Sequence, residues 1–290
     1  MSQHLTDSAM SRGSDSRLIE RDVHVVQDGR PEAPTLLLIH GLAGSTAWWD
    51  PVVPILARDF RVVRVDLLGH GKSPSPRDGY DTATQASNIA AAVDALGVSR
   101  FSIVGHSTGG YVATALTEQR RDAVVALTVI DTGPSPETII PQGLLSRLAL
   151  LPVPGRLLWR LQSDAMIRRV LRAGAFYREV DIPTEIVESI QHMTHRAFAG
   201  TARGSMDFIQ NRNVPERLAA LGVPVQVIFG VEDARYRSSV ATDEYRVLRD
   251  VRVELLKDVG HTPMIEDPQT TGRLISGFMT DIPSRTGEAR

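Results

Sequence analysis

A doubly wound, mostly parallel α/β sheet with an inserted helical cap is the fold class that this 290-residue chain predicts. Three observations predict it. Six short runs are almost wholly apolar and β-branched, as strands of a parallel sheet covered on both faces must be. Helix-patterned segments alternate with the earlier runs, which is how βαβ units are wound. One long stretch, 134–213, interrupts the alternation with helical pattern alone.

Taken in order, residues 1–16 are polar and Ser-rich with no apolar h-region, and read as a disordered tail and not as a secretory leader. "RLIERDVHVVQDG" (17–29) supplies one or two antiparallel edge strands. "TLLLIH" (35–40), "RVVRVD" (61–66), "FSIVGH" (101–106) and "VVALTVID" (124–131) read as buried strands. "TATQASNIAAAVDALGV" (82–98) and "TGGYVATALTEQRR" (108–121) read as the crossover helices between them. This first part of the core, 17–133, gives way at Pro134 to the cap.

The cap contains "GLLSRLALL", "GRLLWRLQSDAMIRRVLRAGAF", "TEIVESIQHMTHRAF" and "GSMDFIQNR", amphipathic helices expected to break at Pro141, Pro152, Pro154 and Pro183. It should lie over the carboxyl ends of the strands, where open α/β sheets bind ligands. The core resumes over 214–282 with the strands "VPVQVIFG" (223–230) and "VRVELL" (251–256), and 283–290 is a polar tail.

Composition narrows the function. A net charge of −2 leaves no overall basic footprint for nucleic acid or an anionic membrane, and no apolar run is long enough to insert across one. With no cysteine there is no disulfide, thiolate metal site or cysteine nucleophile, which suits a reducing, cytoplasmic setting. No cofactor or metal is called for. His192 and His195, three apart in the cap, lack a third ligand to make a metal site.

The chemistry starts at "GHSTG" (105–109), a G-x-S-x-G joining a strand to a helix. In that context the serine sits on a turn so sharp that larger residues at 105 or 109 would strike backbone, and Ser107 Oγ projects at the helix N-terminus. Serine needs a base, and the base needs an acid to orient it. "VIFGVEDARY" ends a strand with Asp233, and "VELLKDVGHTPMIEDP" ends the next with His261. Asp233 is the expected acid; Asp131, ending the preceding strand, is the alternative. Glu232 points away on an extended segment, and Asp258 serves its own loop. Donors for a developing oxyanion are expected from the backbone N–H of Thr108, after the nucleophile, and of Leu42, in "HGLAGSTAWW" (40–49). His106 is expected to face away from the nucleophile, and His40 and His70 to tie loops together.

Four blocks, "HGLAGSTAWW", "DLLGHGKS" (66–73), "GHSTGG" (105–110) and "VGHTPMIEDP" (259–268), make the chain resemble the α/β-hydrolase superfamily, in its capped group of small esterases and cofactor-free haloperoxidase-like enzymes. The resemblance covers nearly the whole chain outside the tails and cap. It implies that Asp66, His70 and Ser73 are scaffold. It disfavours epoxide hydrolases and haloalkane dehalogenases, whose nucleophile is aspartate. It also weakens a C–C bond hydrolase, where a tryptophan usually follows the histidine that here precedes "TPMIE".

The expected activity is cleavage of a small, largely apolar carboxylic ester, lactone or thioester through an acyl-enzyme on Ser107. The partner is thus a small ester-like molecule. His40, Trp48, Trp159, Phe176, Tyr177, Met193 and Met264 are expected at the pocket, with Arg168, Arg169 and Arg172 as a possible anchor for an anionic group. Acyl transfer or perhydrolysis would use the same triad, and a non-catalytic small-molecule receptor is the alternative of another class.

Overall fold

The computed structural model describes residues 15–18 and 23–282. The expected tails over 1–14 and 283–290 lie outside the described residues. The strands are β1 (Asp15–Leu18), β2 (His24–Asp28), β3 (Thr35–Ile39), β4 (Arg61–Val65), β5 (Phe101–His106), β6 (Val124–Ile130), β7 (Val225–Gly230) and β8 (Val251–Leu256). They form one eight-stranded sheet in the order β1-β2-β4-β3-β5-β6-β7-β8. Only the β1–β2 and β2–β4 pairs are antiparallel. β1 begins at Asp15, so ordered backbone starts inside the segment assigned to the N-terminal tail.

Successive residues of a strand point to opposite faces, and both faces here are apolar. In β3, Leu36 and Leu38 enter one core cluster while Leu37 and Ile39 enter the other; in β5, Val104 and Ile103 divide the same way. One face is covered by α2 (Thr82–Ala95), α3 (Thr108–Gln119), α9 (Val214–Leu221) and α10 (Ser238–Tyr245). The other is covered by α1 (Val53–Leu56) and α12 (Pro268–Asp281). This double burial is why the central strands read as unbroken apolar runs. β8 departs from the expectation. As the sheet edge it keeps Arg252 and Leu255 exposed and Val251, Val253 and Glu254 only partly buried.

Between β6 and β7 the chain is helical: α4 (Leu144–Ala149), α5 (Pro152–Arg160), α6 (Asp164–Gly174), α7 (Thr184–His192) and α8 (His195–Asn211). Prolines do not set all of these ends. Pro152 opens α5, but Pro154 is accommodated in its first turn, where no helical N–H donor is needed. The run expected as one helix over 155–176 is divided because the Ser163 side chain caps α6. Thr194 likewise caps α8 and separates it from α7. His192 and His195 therefore fall on different helices, and His195 Nε2 donates to the Ala149 carbonyl at 2.9 Å. α8 packs on α2 and α3, and the 175–178 segment rests on the loop carrying His261. The inserted helices thus sit beside the C-terminal ends of β5 and β8. A last short helix, α11 (Pro263–Glu266), follows that loop.

Candidate active site

β5 delivers Ser107 to the first turn of α3 with φ 51° and ψ −120°, a left-handed conformation that a residue with a β-carbon adopts only at a cost. The flanking glycines make the turn possible. A β-carbon at Gly105 would collide with the Gly109 carbonyl oxygen, and one at Gly109 with that of Ile39. The conformation is held by Ser107 N–H donating to Ile130 O at 2.8 Å and by Thr132 Oγ1 donating to Ser107 O at 3.2 Å.

His261 lies across from it. Its Nε2 is 3.0 Å from Ser107 Oγ, and its Nδ1 is 2.9 Å from Asp233 Oδ2. All three side chains are buried. The other Asp233 oxygen, Oδ1, accepts the backbone N–H of Arg235 at 2.6 Å and of Tyr236 at 3.3 Å. Burial alone would raise the Asp233 carboxyl. The adjacent imidazole and the hydrogen bonds outweigh that and hold it below the usual carboxylate range. A hydroxyl, an imidazole and a carboxylate in this line can move the serine proton onto the imidazole.

Asp131 lies against the same acid. It ends β6 with φ 42°, and its Oδ1 accepts Gly230 N–H at 3.0 Å. Fully buried and beside the Asp233 charge, its carboxyl is raised well above the ordinary range. Its Oδ2 has no hydrogen-bond partner among the described residues. Asp131 is thus the neutral, protonated member of the pair. Asp131, Asp233 and His261 form the one group of potential metal ligands close enough to share an ion among the described residues, within 4.8 Å. Asp233 and His261 already spend these atoms on each other, and Asp131 Oδ1 is held by Gly230 N–H.

Leu42 and Thr108 are both adjacent to the serine. A β-carbon at Gly41 would lie 3.1 Å from Ser107 Cβ, so the β3 loop runs directly past the nucleophile. Neither the Leu42 nor the Thr108 N–H has a hydrogen-bond partner among the described residues.

Most of the expected pocket residues are buried and engaged in other contacts. His40 is fully buried, with Nδ1 on the Gly41 carbonyl at 2.8 Å and Nε2 accepting Leu67 N–H at 3.0 Å, so it ties two loops together. Trp48 stacks on His106 with ring centroids 6.1 Å apart, inside the core. Met264 is wholly enclosed in the same core, and Met193 and Phe176 are also buried. Trp159 Nε1 donates to Met193 O at 2.6 Å and its ring packs on Phe198, within the inserted helices. The Tyr177 side chain is exposed. Arg168 spends its guanidinium on Ile182 O, while Arg169 and Arg172 face outward.

Asp66, in the loop after β4, is scaffold. It accepts His24 Nδ1 at 2.9 Å, Thr46 N–H at 2.6 Å and Lys72 N–H at 2.9 Å. Burial raises its carboxyl, but these partners and His40 bring it below the usual range. Ser73 Oγ donates to the Asp66 carbonyl, and His70 Nδ1 meets Leu68 O at 3.1 Å.

Two residues went unnoticed in the sequence. The Glu266 carboxylate accepts backbone N–H groups from Gly260, Thr262, Tyr177 and Arg178 at 2.8–3.2 Å. It binds the His261 loop to the inserted segment; an acid in the turn just after "GHTP" was the available signal. Tyr236, three residues beyond Asp233, has its hydroxyl 3.0 Å from that of Tyr111 and its ring 5.8 Å from His261. Its ring fills the space a side chain at Gly133 would need. It therefore packs at the end of β6 beside His261. Burial raises its phenol, so the hydroxyl stays protonated.

The fold agrees with what the chain resembles. The Alpha/beta hydrolase family model matches residues 36–273. A monoacylglycerol lipase of Xenopus laevis is 26% identical over 274 residues, covering 88% of this chain and 78% of its own. An uncharacterised protein of Mycobacterium tuberculosis is 29% identical over 259 residues, covering 85% of this chain and 75% of its own. Among solved structures, the enol-lactonase from Burkholderia xenovorans superposes with a TM-score of 0.72 at 20% identity, covering 92% of this chain and 100% of that one. An N-acyl homoserine lactonase complexed with N-butanoyl homoserine gives 0.76 at 18% identity, covering 94% and 98%. With its family model spanning the sheet from β3 into α12, the chain belongs to the alpha/beta hydrolase family.

Proposed function

We propose that the protein is a serine hydrolase that cleaves a carboxylic ester, lactone or thioester of a small, largely apolar substrate. The observation that carries this reading is the unbroken hydrogen-bonded line from Ser107 Oγ through His261 to Asp233 at a strained strand-to-helix turn. Ser107 Oγ attacks the acyl carbon while His261 Nε2 takes its proton. Asp233 holds the Nδ1–H tautomer and stabilises the imidazolium. The N–H groups of Leu42 and Thr108 receive the oxyanion from the β3 side of Ser107. His261 returns the proton to the leaving oxygen or sulfur, and the same residues in reverse roles let water release the acid.

The helices over 134–213 act, in this reading, as a cap that excludes water and selects substrate, supported by their seat beside Ser107 and the His261 loop. The ester-type substrates named for the lipase and lactonase relatives are consistent with this class of chemistry.

A fluorophosphonate probe tests the reading. It should label Ser107 rapidly, and Ser107→Ala should fold normally, lose the label and lose turnover of p-nitrophenyl butyrate. A fast adduct on another serine, or undiminished turnover by Ser107→Ala, would remove Ser107 from the chemistry.

A further inference from the structure

The inserted helices carry a surface that the catalytic reading does not use. α5 is apolar on two opposite sides. Gly155 and Trp159, one turn apart, face inward: Gly155 lies beneath His195, and Trp159 donates to Met193 O. On the far side, Val153, Leu157 and Leu161 follow at intervals of four and face solvent, 77%, 60% and 67% exposed. Residues four apart share a helix face, so these three make one stripe running past the end of α5. The neighbouring α4 packs on α5 and adds Leu144 and Leu145, 72% and 54% exposed. A soluble helix needs an apolar stripe only where it packs inward. The outward stripe has no partner among the described residues.

Its charge is equally one-sided. From Thr138 to Ser163 the chain holds three arginines, Arg147, Arg156 and Arg160, and no acidic residue, although the whole protein carries a formal charge of −2. All three are exposed, and none has an ion pair or side-chain hydrogen bond among the described residues. Arg156 and Arg160 directly precede Leu157 and Leu161, which sets a cationic row alongside the apolar one.

We propose that the α4–α5 face docks onto an anionic lipid–water interface. Two rows of this kind are what such a surface accepts: aliphatic side chains enter the acyl boundary while arginines meet the head groups. The exposed stripe is purely aliphatic. It has no acid to repel phosphate. Insertion would be shallow; among the described residues no helix is long and apolar enough to cross a membrane. The proposal stands independently of the catalytic reading.

The test uses the full chain and two kinds of vesicle, phosphatidylcholine alone and phosphatidylcholine mixed with phosphatidylglycerol. The protein should sediment with the mixed vesicles, and high salt should release it. Binding should fall roughly tenfold or more in Arg156→Ser/Arg160→Ser and in Val153→Ser/Leu157→Ser. Both variants should keep their turnover of a soluble ester, which separates a failure of docking from a failure of the active site. Leu157→Trp, a single exposed change that folding tolerates, should show a blue-shifted emission on adding mixed vesicles and none with buffer. Absence of sedimentation at low salt, an unshifted Trp spectrum, or equal binding by the folded double variants would overturn the proposal. So would a dimer in light scattering that the serine variants dissociate, because the stripe would then belong to a second copy.

Discussion

His106 Nε2 lies 2.7 Å from the backbone carbonyl of His261, so one histidine supports the loop that presents the other. A carbonyl only accepts, which fixes the proton on His106 Nε2 and leaves Nδ1 bare. Burial, together with the nearby His261, depresses the His106 imidazole to about 3, so it is neutral throughout the working range. Its side chain turns away from Ser107 and acts one step further back. His106→Leu should leave the His261 carbonyl unsatisfied, at a cost of about 1–3 kcal/mol. It should also lower kcat more than it raises KM, because the base loop loses its support. His106→Gln can donate to the same carbonyl and should recover much of the loss. Equal damage from Leu and Gln, by urea unfolding and steady-state kinetics, would show that ring shape matters and the hydrogen bond does not.

The buried histidines also set an acid limit to stability. Burial holds His70, like His106, at about 3 against an ordinary value of 6.5. In the unfolded chain both take up a proton as the pH falls through 6.5, whereas in the fold they stay neutral. Their contribution is therefore complete above about pH 6.5 and declines steadily down to about pH 3. Asp131 runs the other way. Its raised carboxyl keeps its proton in the fold, so its own contribution is present below the unfolded value and is lost as pH rises toward the folded one. The urea midpoint should fall between pH 6.5 and 4, with a proton uptake on unfolding to which His70, His106 and the likewise lowered His40 each add and from which Asp131 subtracts. His70→Asn should reduce that uptake by about one. An uptake unchanged in that variant would remove His70 from the account.

Asp233 and Asp131 divide one acid site between them, and the proton on Asp131 decides the roles. Asp233 is the carboxylate hydrogen-bonded to His261, so in the proposed mechanism it orients the imidazole. Asp233→Asn should cost on the order of 10⁴ in kcat, as in other triads where the amide favours the wrong tautomer. Asp131→Asn keeps a neutral side chain beside Asp233 and should cost less than about tenfold. Reversed losses would assign the orienting role to the β6 carboxylate.

Much of this was legible in the chain, for physical reasons. The central strands announce themselves because both faces of the sheet are buried, and Ser107 because only glycine fits at 105 and 109. Asp233 and His261 follow from strand ends and chain order. What sequence could not supply is which way a side chain turns once the backbone is placed. His40 and Trp48 sit near the site in sequence yet spend themselves on Leu67 and His106. The ends of α6 and α8 depended on Ser163 and Thr194, whose capping competes unseen with the more conspicuous prolines. β8 gave an apolar run although it is an edge, because one face alone keeps it in register.

Glu266 is the contact through which the inserted helices reach the candidate base. Its two oxygens receive N–H groups from both partners: Gly260 and Thr262 flank His261, while Tyr177 and Arg178 belong to the inserted segment. Thr262 Oγ1 reinforces the joint by donating to Ala175 O at 2.9 Å. A displacement of 175–178 must therefore drag on the loop holding His261, or break these bonds. Glu266→Gln offers one acceptor oxygen where two are used, and its NH2 must face N–H donors whichever way the amide is turned. It should destabilise the fold by about 1–3 kcal/mol. It should also slow fluorophosphonate labelling of Ser107, since His261 is no longer held for proton transfer. Glu266→Asp keeps the charge but shortens the reach, and should retain the loop contacts more readily than the inserted-segment contacts, which come from farther along the chain. Labelling should then be nearly normal, while the ranking of bulky against small p-nitrophenyl esters changes. If Glu266→Gln matched the unmodified protein in urea midpoint and labelling rate, the inserted helices and the candidate base would be mechanically independent.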